Sequence, residues 1–320
     1  MSDIPAEFSL IARHFRPLAG PGALNLLDDA AVFTPPTGRE LVISADAMVA
    51  GVHFLPDDPP DLVGRKLLRT NLSDMAAMGA VPFGYLMTVS APQDTSDAWF
   101  AGFAAGLAAD QVEFGVFLLG GDTTSTPGPI SLSLTILGSV APGEAIRRTG
   151  AKPGYGIWVS GTIGDGALGL LAATGRLDDP SGFLADRYRV PKPRLGLATY
   201  GMVAACMDVS DGLVQDLGHL CRAGSVSAEI ETGLVPLSDA ARGAGPGYLG
   251  RCLTGGDDYE LVMAVAPERE AAFLRHAMGV GVGVVRIGRF GAGAPGVAVL
   301  GDDGAVWVTG AGGWSHFGAR

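Results

Sequence analysis

Five aspartate-rich segments interrupt this chain where an apolar run ends or a helix begins: Asp28-Asp29, Asp46, Asn71-Leu72-Ser73-Asp74, Gly120-Gly121-Asp122-Thr123-Thr124 and Asp208-Val209-Ser210-Asp211-Gly212. Side chains at such ends can converge in a folded α/β protein although they are far apart in sequence. A converged set of carboxylates repels itself unless divalent cations hold it together. Ligation by oxygen alone suits Mg²⁺, which in proteins works beside substrate phosphates. The pattern therefore predicts a phosphoryl-transfer site built from strand ends and helix starts.

Composition narrows the alternatives. At 320 residues the chain exceeds what one core usually organises, so two domains are expected. A formal charge of −11 argues against wrapping around nucleic acid, which needs an excess of Lys and Arg. The first twenty residues carry Asp3, Glu7, Arg13, His14 and Arg16 instead of a basic start and an apolar core, so no signal peptide is expected and a cytoplasmic location is. Apolar stretches such as Trp99 to Ala109 stop well short of the ~20 residues of a membrane helix, so no membrane association is expected. Cys206, Cys221 and Cys252 lack C-x-x-C spacing and read as reduced, buried thiols.

The elements alternate. Leu41 to Asp46, Phe83 to Ala91, Val116 to Gly120 and Ile130 to Val140 read as strands. Pro60 to Gly79 and Ser96 to Phe114 read as helices, the second capped by Ser96 or Asp97. A polar, turn-rich stretch between Pro142 and Lys152 marks the boundary between an N-terminal domain, 1–142, and a C-terminal domain, 143–320. Beyond it, strands are expected at Gly156–Ser160, Cys206–Val209, Tyr259–Ala266, Val282–Ile287, Val297–Leu300 and Ala305–Val308. Helices are expected at Gly166–Thr174, after Pro193, at Gly212–Arg222 and at Pro267–Met278. The mixture implies an α+β fold layered by helices, not a repeating βαβ unit.

Each acidic segment also has a plainer reading. Asp28-Asp29 can be a turn, Asp46 a strand-end cap, and Asn71 with Asp74 a solvated helix face. Gly120-Gly121 can let the backbone approach phosphate oxygens while Asp122 holds a metal. Asp208 and Ser210 join a strand to free N–H groups at a helix start, although Ser210 or Asp211 can be a simple cap. Gly161 to Gly166 also opens a helix, but without a following Lys it reads as a packing turn, and His219 reads as structural. No G-x-x-x-x-G-K-[ST], protein-kinase motif set or G-x-S-x-G occurs.

The segments LLDDAAVF, ISADAMVAGVHF, NLSDMAAMGA, LLGGDTT, RRTGAKPG, DVSDGLVQDLGHL and TGGDDYELV, in this order, resemble the thiamine-monophosphate kinase family, within the ATP-binding superfamily typified by aminoimidazole ribonucleotide synthetase. The resemblance runs from about Phe8 to Phe317. It implies a two-domain α+β fold, with an N-terminal mixed sheet that forms a homodimer and a C-terminal α/β sandwich. It also implies transfer of the ATP γ-phosphoryl group to thiamine monophosphate with Mg²⁺. Position by position, Asp29, Ser44, Asp46, Asp74, Asp122, Asp208 and Asp211 match metal ligands, and Ala45 offers a backbone carbonyl. Gly121, Asp122, Arg148 and Ser210 match the nucleotide side, and His53, Asp257 and Trp314 the thiamine phosphate side. Catalytic roles are expected of Asp46, Asp122, Asp208 and Arg148.

Three positions depart from the family pattern. Leu27 replaces Gly, Ala45 replaces Thr and so removes a hydroxyl near the metals, and Asp257 replaces Glu. The alternatives are another ATP-using member of the superfamily, of the aminoimidazole ribonucleotide synthetase type, and a nucleotide-binding regulator without catalysis. A selenophosphate synthetase is disfavoured because the first cysteine is Cys206. A hydrogenase maturation enzyme is disfavoured because the chain ends Phe317-Gly-Ala-Arg320.

Overall fold

The computed structural model describes residues 6–307 and residue 313. The chain forms two compact units, one running up to Met75 and including Ala80–Gly143, the other comprising Ala76–Gly79 and Glu144 onward. The first opens with a short helix, α1 (Ala6–Leu10), and continues with β1 (Glu40–Val49), α2 (Pro60–Ala77), β2 (Val81–Ala91), α3 (Asp97–Phe114), β3 (Phe117–Ser125) and β4 (Ser131–Val140). Its sheet has the order β1-β4-β2-β3. All pairs are antiparallel except β2 and β3, which run parallel on either side of the crossover helix α3.

Alternation sets the two faces of this sheet. On β4, Leu132, Leu134 and Ile136 are buried while Ser131, Ser133 and Thr135 are less so, and Tyr85, Met87 and Val89 of β2 share their face. Helix α3 buries Phe100, Phe103, Ala104 and Leu107, spaced for a single stripe. Ser96 caps it by accepting the Trp99 N–H at 3.2 Å, and Gly115 ends it in the left-handed conformation. Helix α2 is enclosed nearly all round, so its polar residues need internal partners. Asp110 of α3 accepts from Arg69 at 2.7 and 2.8 Å and from Arg65 at 2.9 Å.

The second unit contains β5 (Gly156–Ser160), α4 (Asp165–Ala173), α5 (Phe183–Arg189), β6 (Ala205–Asp208), α6 (Leu213–Gly224), β7 (Ser227–Glu231), α7 (Asp239–Gly243), α8 (Leu249–Thr254), β8 (Leu261–Val265), α9 (Glu270–Gly279), β9 (Val284–Gly291) and β10 (Gly296–Leu300). Its sheet has the order β10-β7-β9-β5-β8-β6. Strand β8 is an unbroken apolar run because both of its faces are covered. Val262 and Ala264 pack in the layer of α6, with Leu213, Leu217 and Leu220, while Leu261, Met263 and Val265 pack with Phe273 and Ala277 of α9. This is a sheet between two helical layers, in keeping with the α+β expectation.

Some expectations fail locally. The helix expected after Pro193 is absent; α5 precedes Pro191, because two closely spaced prolines remove donors and push their predecessors to extended backbone. Strand β3 does not stop at Gly120 but runs through the Gly-Gly segment to Ser125. Strand β7 and helices α7 and α8 carry too few periodic residues to be read from sequence. Of the stretch Ala305–Val308, Val306 makes one bridge to Leu300 and Val308 lies outside the described residues.

Replacing Asp110 with Ala leaves Arg69 buried beside a lost partner. A loss of about 3–5 kcal/mol in unfolding free energy is expected in urea titration, with α2 and α3 loosening together.

Candidate active site

In the first unit β1 places Ser44 and Asp46 on one face of the sheet. Ser44 pairs with Ile136 and Asp46 with Leu134, both buried, so their side chains share the helix-covered face. The Ser44 hydroxyl donates to Asp74 Oδ2 of α2 at 2.5 Å, which ties strand to helix. Burial, and next the charge of Asp74, push Asp46 up to about 6. Ala45 lies between them but on the other face, in the row of Thr135 and Leu86. Alternation thus corrects the expectation drawn from Ala45: a threonine hydroxyl there would not stand beside Ser44 and Asp46. What position 45 can offer is the carbonyl of an edge strand.

Asp122 is placed elsewhere. It pairs with Thr88, and through Ser133 its row ends at Ala47, while the row of Asp46 ends at Gly121. Asp122 therefore leaves the sheet on the open face, three strand positions from β1, while Asp46 lies on the helix-covered face. Gly121 has a φ of +156°, and a Cβ there would lie 1.7 Å from the Met87 carbonyl oxygen, so the neighbouring strand alone requires glycine. Asp29 lies exposed in a bend after Leu24, Asn25 and Leu26, three successive residues with left-handed φ values of 51°, 58° and 54°.

His53 follows β1 in a tight turn. Its Nδ1 accepts the Val49 N–H at 3.0 Å, which places the proton of the neutral ring on Nε2. Buried Lys66 donates to the His53 carbonyl at 2.8 Å and fixes the turn. The ring is thereby set as an Nε2–H donor, suited to an anionic oxygen.

In the second unit, Asp208 ends β6 and is buried, while Ser210 and Asp211 are half-buried at the start of α6. Asp216 Oδ2 accepts the Asp211 and Gly212 N–H groups at 3.0 and 3.1 Å. Burial pushes Asp216 up to about 7, partly opposed by those N–H donors. Arg148 is exposed and near enough to His219 of α6 to lower its pKa, behind burial and Arg222. Asp211 accepts from Gln215 at 3.1 Å, and Gly313 lies against Gln215. Trp314 lies outside the described residues.

Backbone bonds from Val209 N–H to Glu260 O (2.7 Å), Tyr259 N–H to Val209 O (2.9 Å) and Asp257 N–H to Ser210 O (2.9 Å) prolong the β6–β8 ladder and fasten Asp257 beside Ser210. The turn Gly161–Gly166 is indeed a packing turn: its N–H groups at Gly164 and Gly166 bind the carboxylate of Asp258. Sequence reading missed Asp258, Asp216 and Lys66. The doubled Asp257-Asp258 was the one available signal, because a pair on a short loop sends its two side chains to different surroundings.

Among the described residues no group of three or more His, Cys, Asp or Glu side chains stands ready to hold a metal ion. Asp46 and Asp74 nevertheless press like charge together, with only oxygen donors from Ser44 and the strand carbonyls at hand, and that is a hard-cation environment. Phosphate oxygens would supply the remaining ligands.

Both halves of the chain match a known family: residues 27–140 the AIR synthase related protein N-terminal domain, and residues 152–300 its C-terminal domain. The thiamine-monophosphate kinase of Caulobacter vibrioides is 48% identical over 296 residues, covering 89% of this chain and 84% of that protein. The crystal structure of thiamine-monophosphate kinase from Stenotrophomonas maltophilia superposes with a TM-score of 0.84 at 38% identity, covering 94% of this chain and 98% of that one. The structure of AaThiL complexed with AMPPCP and TMP gives 0.77 at 29% identity, with 91% of each chain covered. The chain belongs to the thiamine-monophosphate kinase family of AIR synthase related proteins.

Proposed function

We propose that this protein is a thiamine-monophosphate kinase, which transfers the γ-phosphoryl group of ATP to the phosphate of thiamine monophosphate and yields thiamine diphosphate and ADP. The observation that carries the reading is 48% identity to a thiamine-monophosphate kinase over nearly the whole chain, with the acidic motifs in place. A relative has been captured with AMPPCP and TMP, an ATP analogue and a thiamine phosphate, which fits the same pair of substrates here.

An acceptor phosphate oxygen attacks the γ-phosphorus in line as the bond to the β,γ-bridging oxygen breaks and ADP departs. The acceptor phosphate is already largely ionised near pH 7, since the second pKa of such groups is about 6, so no strong general base is needed. The chain's contribution is position and charge. Bound Mg²⁺ would neutralise phosphate charge, with oxygens of Asp29, Ser44, Asp46, Asp74, Asp122, Asp208 and Asp211 and the Ala45 carbonyl as its candidate ligands. Arg148 and Ser210, with the backbone at Gly121, bind the nucleotide. His53 donates Nε2–H to the acceptor phosphate, and Asp257 and Trp314 meet the thiamine portion. Residues 1–142 serve ATP and Mg²⁺ binding and dimerisation, and residues 143–320 contribute the remaining nucleotide and acceptor contacts.

The homodimer is proposed through the open face of the first sheet. Leu41, Ile43 and Val81 are exposed there to 42%, 60% and 63%, with Leu86 beside them, on a face that no helix among the described residues covers. A cytoplasmic location is proposed with this activity; separately, no helix among the described residues is long and apolar enough to cross a membrane.

Thiamine monophosphate with ATP and Mg²⁺ is expected to release ADP; release only with formylglycinamidine ribonucleotide would reassign the enzyme to the synthetase branch, and ATP binding without turnover would make it a regulator. Asp46→Asn and Asp208→Asn are each expected to lower kcat at least roughly a hundredfold while the circular dichroism spectrum and melting temperature hold. Ile43→Lys is expected to shift sedimentation from dimer to monomer, and an unchanged dimer would place the interface elsewhere.

A further inference from the structure

The loop that carries Asp257 is shaped by a carboxylate with no assigned role. Asp258 is fully buried, and its two oxygens each accept one N–H: Oδ2 from Gly164 at 2.7 Å and Oδ1 from Gly166 at 2.9 Å, at the start of α4. Its carbonyl accepts from Arg187 at 3.3 Å. Arg187 and Arg194 close on Glu260 at 2.9 and 2.6 Å, and the Ser160 hydroxyl joins them at 2.6 Å. On either side of Asp258 the backbone is left-handed, with φ of 69° at Asp257 and 51° at Tyr259. Such residues persist only where surrounding bonds hold them. Gly166 completes the clamp, since a Cβ there would lie 2.2 Å from the Asp257 carbonyl oxygen.

A second buried carboxylate, Asp216, does the equivalent for the loop of Ser210. Its bonds go to the N–H groups of Asp211 and Gly212, within its own turn, and not to α4. The two clamps therefore act on separate loops, which meet in the bond between Asp257 N–H and Ser210 O.

We infer that Asp258 is the positioning residue for the acceptor, and Asp216 for the nucleotide, each fixing the one loop that meets its substrate. The inference rests on the proposed reading in which Asp257 meets the acceptor and Ser210 meets ATP. Because both oxygens of Asp258 are engaged by N–H donors, Asn cannot replace it: one N–H would face an NH₂ group. Asp216 also draws on the Ser210 N–H, so Ala, which removes every acceptor, is the informative change.

Steady-state kinetics with both substrates varied decides the matter. Asp258→Asn is expected to raise KM for thiamine monophosphate roughly tenfold or more and leave KM for ATP within about twofold. Asp216→Ala is expected to do the reverse. General weakening of the fold would move both constants together, and that outcome, or no change in either, overturns the inference. Should Asp258→Asn fail to fold, Gly166→Ala pushes on the Asp257 carbonyl while the carboxylate stays, and the same selective rise in acceptor KM is required of it. Asp257→Ala separates the layers of argument. If it leaves the acceptor KM unchanged, the role given to Asp257 is wrong; if it raises that KM while Asp258→Asn does not, the clamp is wrong.

Discussion

A carboxylate enclosed between apolar layers must be met by a cation, by backbone N–H groups or by a proton, because its desolvation is otherwise prohibitive. Each unit of this protein is organised by how its acidic side chains meet that requirement. Asp110 and Glu260 are answered by arginines and brace helices and strands. Asp258 and Asp216 are answered by N–H groups at helix starts and shape loops. Asp46 and Asp74 face each other, with a serine hydroxyl between strand and helix. Burial and the charge of Asp74 together hold the Asp46 carboxyl above its ordinary range.

Much of this was legible in the sequence, for definable reasons. Strong periodicity located α2, α3, β2 and β4 to within a few residues, because Leu132-x-Leu134-x-Ile136 and the Phe100–Phe103–Leu107 spacing each suit one conformation. Short elements with two or three apolar residues, such as β7 and α8, were not legible, since their burial depends on partners distant in sequence. The proline pair at 191 and 193 misled because it can open a helix as well as stop one.

For the site, residue types were readable and directions were not. That Ser44 and Asp46 share a face while Ala45 does not follows from strand alternation, once β1 is known to run through Asp46. That Asp122 lies across the sheet follows from strand order, which the sequence does not state. Asp258 could be noticed beside Asp257, but its bonds to Gly164 and Gly166 span more than ninety positions and emerge only from the folded chain.

The three backbone bonds that carry the β6–β8 ladder into the Asp257 loop have a thermodynamic corollary. A segment zipped to a buried strand has surrendered its conformational freedom when the domain forms, so a ligand arriving later need not order it. Recognition at this loop should resemble docking onto a rigid surface, with little entropic penalty from the protein and a heat capacity change confined to the surface that the ligand itself covers.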